Sequence, residues 1–220
     1  GNVNHVVYDA VSESAAVEAF QKKYNKRGLA NYDFSEAMTI VSIGADFLGD
    51  WQGGGFDSGY SKNRVPDHGK MSRHVQFESN MSLTGANADK RVPLTPSQQK
   101  LALAKLYSLV TGNNVSVTGL SDNVENAIKS AASQLKKAGS KGVVVTGIQD
   151  VNAQTVVLEI NEYLASKAFD SKTTIKTRQG NDKDVAQLVA DMNAGKVGAI
   201  IMSGVNPLYT LANASEFAEG

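Results

Sequence analysis

The chain of 220 residues contains no cysteine. Disulfides, thiolate zinc sites and cysteine-ligated iron–sulfur clusters are therefore excluded within it. Charge of one sign is also missing, because 22 basic side chains balance 22 acidic ones. A net charge of zero gives no electrostatic case for nucleic acid or for an anionic membrane surface. No run approaches the roughly 18 apolar residues that a membrane helix needs, so direct membrane insertion is not expected. No signal peptide is visible, and the ends Gly1-Asn2-Val3 and Ala218-Glu219-Gly220 read as those of a piece cut from a longer protein.

Several catalytic patterns are absent. Gly69-Lys70 is followed by Met71, and Arg64 stands where the first glycine of a phosphate loop should be. No Gly-x-Gly-x-x-Gly follows a strand, so a dinucleotide fingerprint is missing. Phe56-Asp57-Ser58-Gly59 lacks the spacing of a nucleophile elbow. Asp67, His68 and His74 are the one candidate metal cluster, and they read as polar residues on a solvated loop. Asp46 and Asp50 are paired carboxylates whose expected work is in turns or caps. No catalytic residue and no metal ligand is assigned.

What is present is the patterning of a parallel α/β protein. The hydrophobic share is 41%, ordinary for a globular domain of this length. Strands are expected at His5–Tyr8, Ala37–Ile43, His74–Phe77, Arg91–Leu94, Gly142–Thr146 and Val197–Met202, with a short edge strand at Thr173–Thr177. The runs 37–43, 142–146 and 197–202 are near-continuously apolar, as strands buried on both faces are. Helical spacing runs from Ser12 or Ser14 toward Gly28, from Pro96 to Gly112, from Asp122 to Gly139, from Asn152 to Leu164 and from Asp182 to Asn193. Thr95 is an expected N-cap, Pro96 the first helical residue and Gln98 the reciprocal member of a capping box. Residues 49–70 hold six glycines among Trp51, Phe56 and Tyr60, which argues for an ordered loop that packs down or covers something.

Strands alternating with helices imply β-α-β units and a mostly parallel sheet with flanking helices. Two Rossmann-like halves are expected, 1–115 and 116–220, divided in the polar stretch 113–120. Gly44-Ala45-Asp46, Gly147-Ile148-Gln149 and Gly204-Val205-Asn206 each end a strand with a glycine turn. Together with the loop 78–89 they should line one crevice at the carboxyl ends of the strands, where open α/β sheets hold ligands.

The residues also carry a resemblance. Gly44-Ala45-Asp46, then Glu78-Ser79-Asn80-Met81-Ser82-Leu83-Thr84-Gly85 with Ala88-Asp89 and Val92-Pro93-Leu94, then Gly204-Val205-Asn206-Pro207 follow one another in the order found in the central domains of molybdopterin oxidoreductases. That family holds a bis-molybdopterin guanine dinucleotide. The stretches 44–55 and 71–89 further resemble the large iron–sulfur subunit of bacterial alternative complex III, a membrane quinol oxidoreductase. The resemblance implies that Gly44, Asp46, Glu78, Ser79, Ser82, Thr84, Asn206 and Pro207 occupy the positions of the cofactor crevice.

Departures from the family qualify what is inherited. Asp46 replaces an Asn, and Glu78-Ser79 replaces a Pro-Arg pair. Both changes place negative charge where a polyanion would be approached, opposing its binding by about a kcal/mol each if partly buried. The family's metal ligand should fall near Asp9–Ser14, where Ser12 and Ser14 read as helix caps. The resemblance therefore implies a cofactor-free scaffold with vestigial crevice positions. The alternative is part of an active molybdenum enzyme that lines the molybdopterin guanine dinucleotide site. Also implied are iron–sulfur clusters elsewhere in a longer protein, docking to other subunits of a membrane-bound respiratory complex, twin-arginine export and a periplasmic position. Trp51 should be largely buried as its loop folds into the vacated space.

Overall fold

Alternating strands and helices assemble, in a computed structural model describing residues 2–66 and 69–220, into two compact units. The larger comprises residues 15–177 and contains the parallel sheet. Its strands are β1 (Leu29–Tyr32), β2 (Thr39–Ile43), β3 (Arg73–Glu78), β4 (Lys90–Pro93), β5 (Gly142–Thr146) and β6 (Phe169–Ile175). Four of them form an all-parallel sheet in the order β4-β3-β2-β5. β1 and β6 make a separate antiparallel pair. The expected edge strand 173–177 starts four residues earlier and ends two residues earlier, at Phe169–Ile175, and β1 was not anticipated. β5 comes from beyond residue 116 and yet bonds β2 residue for residue, so the sheet spans the expected division at 115/116.

Each face of the sheet follows from the two-residue period of its strands. Val41, Ile43, Val75, Phe77 and Val144 point to one side. There they pack on α4 (Pro96–Thr111), α5 (Asp122–Ala138) and α6 (Val151–Tyr163) through Leu103, Leu106, Ile128, Leu135, Val157 and Ile160. The apolar stripe of α5 recurs at Val124, Ala127, Ile128, Ala131, Ala132 and Leu135, all buried. α4 begins as its sequence requires: the Thr95 hydroxyl accepts from the Gln98 amide, the Gln98 side chain accepts from the Thr95 amide, and Pro96 opens the helix. Gly112 ends it with φ of 83°. Asp150, rather than Asn152, caps α6 by accepting from the Ala153 amide at 3.0 Å.

The other face is covered by α1 (Ser14–Tyr24) and by an aromatic loop. Ile40, Val143 and Val145 meet Phe20, Phe34, Phe47, Trp51, Phe56 and Tyr60. The glycine-rich stretch is therefore an ordered cover over its residues 51–62. It contains a turn at Trp51–Gly53 and one short helix, α2 (Asp57–Lys62). The rings on this face pack at centroid distances of 4.4 Å (Phe34–Phe47), 5.2 Å (Trp51–Phe56) and 5.4 Å (Phe47–Tyr60). Trp51 is 7% exposed and donates from Nε1 to the Thr146 carbonyl at 3.1 Å.

The smaller unit comprises residues 1–14 and 178–220. α7 (Asp182–Asn193) packs with α9 (Ala214–Glu219) through Val189, Met192 and Phe217. α8 (Pro207–Thr210) follows Asn206. Two expectations fail here. His5–Tyr8 and Val197–Met202 are not strands. Both are apolar and β-branched, but a strand exists only where a neighbour completes its ladder, and the described residues of this unit supply none. Val197–Met202, expected to be buried, leaves Ile201 96% exposed.

Candidate functional site

Six of the eight expected crevice positions lie in the larger unit, at or just beyond the carboxyl ends of β2 and β3. They are Gly44, Asp46, Glu78, Ser79, Ser82 and Thr84. Parallel pairing places these strand ends side by side, with Ile43 opposite both Phe77 and Thr146. Gly44 turns the chain at φ of 70° and donates to the Phe77 carbonyl at 2.7 Å. Gly147, at the end of β5, approaches so closely that a Cβ there would lie 2.1 Å from the Gly44 carbonyl oxygen. The glycine turns at 44–46 and 147–149 do meet at one edge. Asn206 and Pro207 belong to the smaller unit, where Asn206 precedes α8 and its carbonyl accepts from Tyr209 and Thr210.

The two acids are bound inward. Asp46 Oδ1 accepts from the Thr84 amide at 2.9 Å and from the Thr84 hydroxyl at 2.7 Å. That hydroxyl in turn accepts from the Leu48 amide at 2.9 Å, stitching the two loops together. Glu78 is 3% exposed. Its Oε1 accepts from Arg91 Nε at 2.5 Å and from the Ser82 amide at 3.2 Å. Its Oε2 accepts from the Ser82 hydroxyl at 2.6 Å and from Gln76 Nε2 at 3.1 Å. Burial alone would raise this carboxyl, but the bonds from Ser82 and Arg91 outweigh it and hold Glu78 below the ordinary carboxylate range. Ser82 also caps α3 (Leu83–Ala86), accepting from the Gly85 amide at 3.0 Å. Gly85 is required by this packing, since a Cβ there would fall 1.8 Å from Glu78 Oε1. Ser79 accepts from Gln99 Nε2 of α4 at 2.9 Å.

The site extends into the sheet along a row that sequence reasoning missed. His74, Gln76 and Glu78 alternate with Val75 and Phe77; all three polar side chains are buried, and His74 packs against the rings of Phe47 and Tyr60. Gln76 Nε2 donates to the Ala45 carbonyl and to Glu78, so its Oε1 must accept, and His74 Nε2 at 3.2 Å carries the proton. His74 Nδ1 lies 3.2 Å from the Tyr60 hydroxyl, which also donates to the Asn87 carbonyl at 3.0 Å. Burial pushes the imidazole down to about 4 and keeps it neutral. At the amino end of the row, Arg64 grips Asp89 with bonds of 2.8 and 3.0 Å and lies 5.5 Å from the Tyr60 ring centroid. Asp89 also accepts from the His74 amide at 2.6 Å. The only sequence signal was polar–apolar alternation, which ordinarily marks a strand with one face in water. Here a loop covers that face.

Chemically, the row is a closed network. A polyanionic cofactor would need free backbone donors and unpaired cations. The amides of Leu48, Ser82, Thr84 and Gly85 already donate to protein oxygens. Arg91 is engaged by Glu78. The residues present do not fit a molybdopterin guanine dinucleotide. Among the described residues no group of three His, Asp or Glu side chains could hold a metal ion. The candidate cluster containing Asp67 and His68 falls outside the described residues, and its third member, His74, is committed to Gln76 and Tyr60. Ser12, in the region expected to carry a metal ligand, accepts from the Ser14 amide at 3.0 Å, a helix-start role. No helix is long and apolar enough to cross a membrane among the described residues. No protein-family model matches this chain, and no curated protein matches it.

Proposed function

We propose that this chain is a cofactor-free scaffold with the architecture of the molybdopterin oxidoreductases, part of a respiratory electron-transfer subunit of the alternative complex III type. In this reading the crevice positions are vestigial. Iron–sulfur clusters would sit elsewhere in the longer protein, and the chain would dock other subunits on the periplasmic side of the membrane. The observation that supports it is Glu78. A carboxylate at the carboxyl end of a central parallel strand is turned inward, bonded by Arg91, Ser82 and Gln76, and fitted so tightly that Gly85 can carry no side chain. Placing a dinucleotide there would require breaking that network and leaving a buried carboxylate beside phosphates, a penalty of several kcal/mol.

The test is elemental analysis of the intact protein together with fluorescence of the oxidised pterin. Iron without molybdenum, tungsten or pterin is the expected result. Stoichiometric molybdenum and pterin would overturn the scaffold reading in favour of an active molybdopterin enzyme, with Asp46 and Glu78 lining its site.

A further inference from the structure

A second concavity lies at the opposite end of the same sheet. It encloses about 310 Å³ and is lined by Met38, Lys62, Asn63, Val65, Lys70 and Lys141. Met38 immediately precedes β2, Lys141 precedes β5, and Lys70 lies just ahead of β3. The cavity therefore sits at the amino ends of three adjacent strands, away from the positions that a dinucleotide would occupy. Among the described residues its lining holds three lysines and no acid.

The lysines come from three separate segments. Lys62 closes α2, Lys70 lies in the stretch leading to β3, and Lys141 ends the turn Gly139–Lys141. Lys62 has Asp33 in its neighbourhood, but that carboxylate already caps the turn Phe34–Glu36 by accepting from the Ser35 amide at 2.9 Å. Among the described residues the ion pairs of this unit use other lysines, such as Lys22, Lys23, Lys100 and Lys129. Together Lys62, Lys70 and Lys141 give the rim of this cavity positive charge from three separate segments.

The walls at Met38, Asn63 and Lys141 are fixed by backbone and amide bonds rather than by the lysine ammonium groups. The Met38 amide donates to the Lys141 carbonyl at 2.8 Å, and the Arg73 amide to the Met38 carbonyl at 2.9 Å. The Ser72 amide donates to the Asn63 carbonyl at 2.8 Å. Asn63 Nδ2 donates to the Ser35 and Ala37 carbonyls at 2.5 and 3.1 Å. The part of the concavity at Met38, Asn63 and Lys141 is therefore formed before any ligand arrives, which lowers the cost of binding. Its volume stands at the lower end of small-molecule sites.

We propose that this amino-edge cavity binds a small, multiply charged oxyanion. Each ammonium offers three donors and a full charge on a flexible stem, the chemistry that takes up phosphate or carboxylate oxygens. Pyrophosphate and citrate represent the two forms of that chemistry, and Met38 and Val65 give a short carbon skeleton something to lie against. The proposal rests on the amino edge alone and stands or falls independently of the scaffold reading.

The test is isothermal titration of the full chain with sodium pyrophosphate and, separately, with citrate. Saturable binding of at least one, half-complete below about 1 mM at low salt, is expected. It should weaken steeply as salt rises. The variant K62Q/K70Q/K141Q should bind at least about tenfold more weakly, while Lys141→Arg should retain binding because it keeps the charge. All three lysines are exposed, so the variants should keep the circular dichroism of the parent. Preference for pyrophosphate would assign the phosphate form, and preference for citrate the carboxylate form. Absence of binding to both at about 10 mM, or equal binding by the triple variant, would overturn the site.

Discussion

The two ends of one sheet treat charge differently, although the Arg64–Asp89 pair closes part of the amino end too. At the carboxyl end Asp46 and Glu78 are bonded inward by Thr84, Ser82, Gln76 and Arg91. At the amino end Lys62, Lys70 and Lys141 surround an open cavity. The carboxyl end is where parallel sheets usually keep their ligands, and here its donors are spent on the protein itself. Charge that holds loops together is unavailable for a guest. Stability should therefore be concentrated at one end and binding capacity at the other.

The strongest test of the buried row that ends at Glu78 is to protonate its other end. His74 is fully buried, with a folded value of about 4 against roughly 6.5 in the unfolded chain. Between those limits the unfolded state binds the extra proton, so stability is complete above about pH 6.5 and falls as the pH drops toward 4. The expected loss is about 3 kcal/mol. Urea midpoints measured from pH 7 to pH 4 check it, and His74→Gln should flatten the slope if the variant folds. A flat profile in the parent would mean that the imidazole is solvated.

Next is Gly147→Ala, which forces a methyl against the Gly44 backbone rather than against a side chain that can turn away. A loss of about 2 to 3 kcal/mol is expected in chemical unfolding. Arg91→Met should cost about 2 kcal/mol, discounted from a fully buried pair because Arg91 is 27% exposed. It should also shift acid unfolding to higher pH, since the bonds that keep Glu78 low stabilise the fold above the unfolded carboxyl value and lose that effect as pH falls. An unchanged acid midpoint would show that Ser82 and Gln76 suffice. Smallest is K62Q/K70Q/K141Q, expected to alter unfolding by no more than about 0.5 kcal/mol. A larger loss would make those lysines structural and erase the contrast.

Local chemistry was legible in the sequence and distant partnership was not. The capping box at Thr95 and Gln98 was readable because both partners lie within one turn. β2 and β5 were readable because burial on both faces leaves an apolar run. Val197–Met202 looks the same in composition but lacks a ladder, a fact that no window of residues contains. Leu29–Tyr32 shows the reverse: it has little β-branched character, and its pairing with Phe169–Ile175 alone makes it a strand. The candidate acids were found by position. Their meaning came from Arg91, thirteen residues beyond Glu78, and from a loop whose glycines concealed its aromatic packing.

The central place of β2 also bears on how the chain is made. Its neighbour β3 follows closely in the sequence, but β5 does not: the hydroxyl of Thr146 meets the Ile43 carbonyl across a separation of 103 residues. At ordinary elongation speeds that interval lasts about 5 to 20 s. Throughout it the nascent chain carries a strand destined for full burial with one unpaired edge, an open template for mispairing. The ribosome-bound intermediate, more than the finished protein, is where this fold most needs a chaperone's protection.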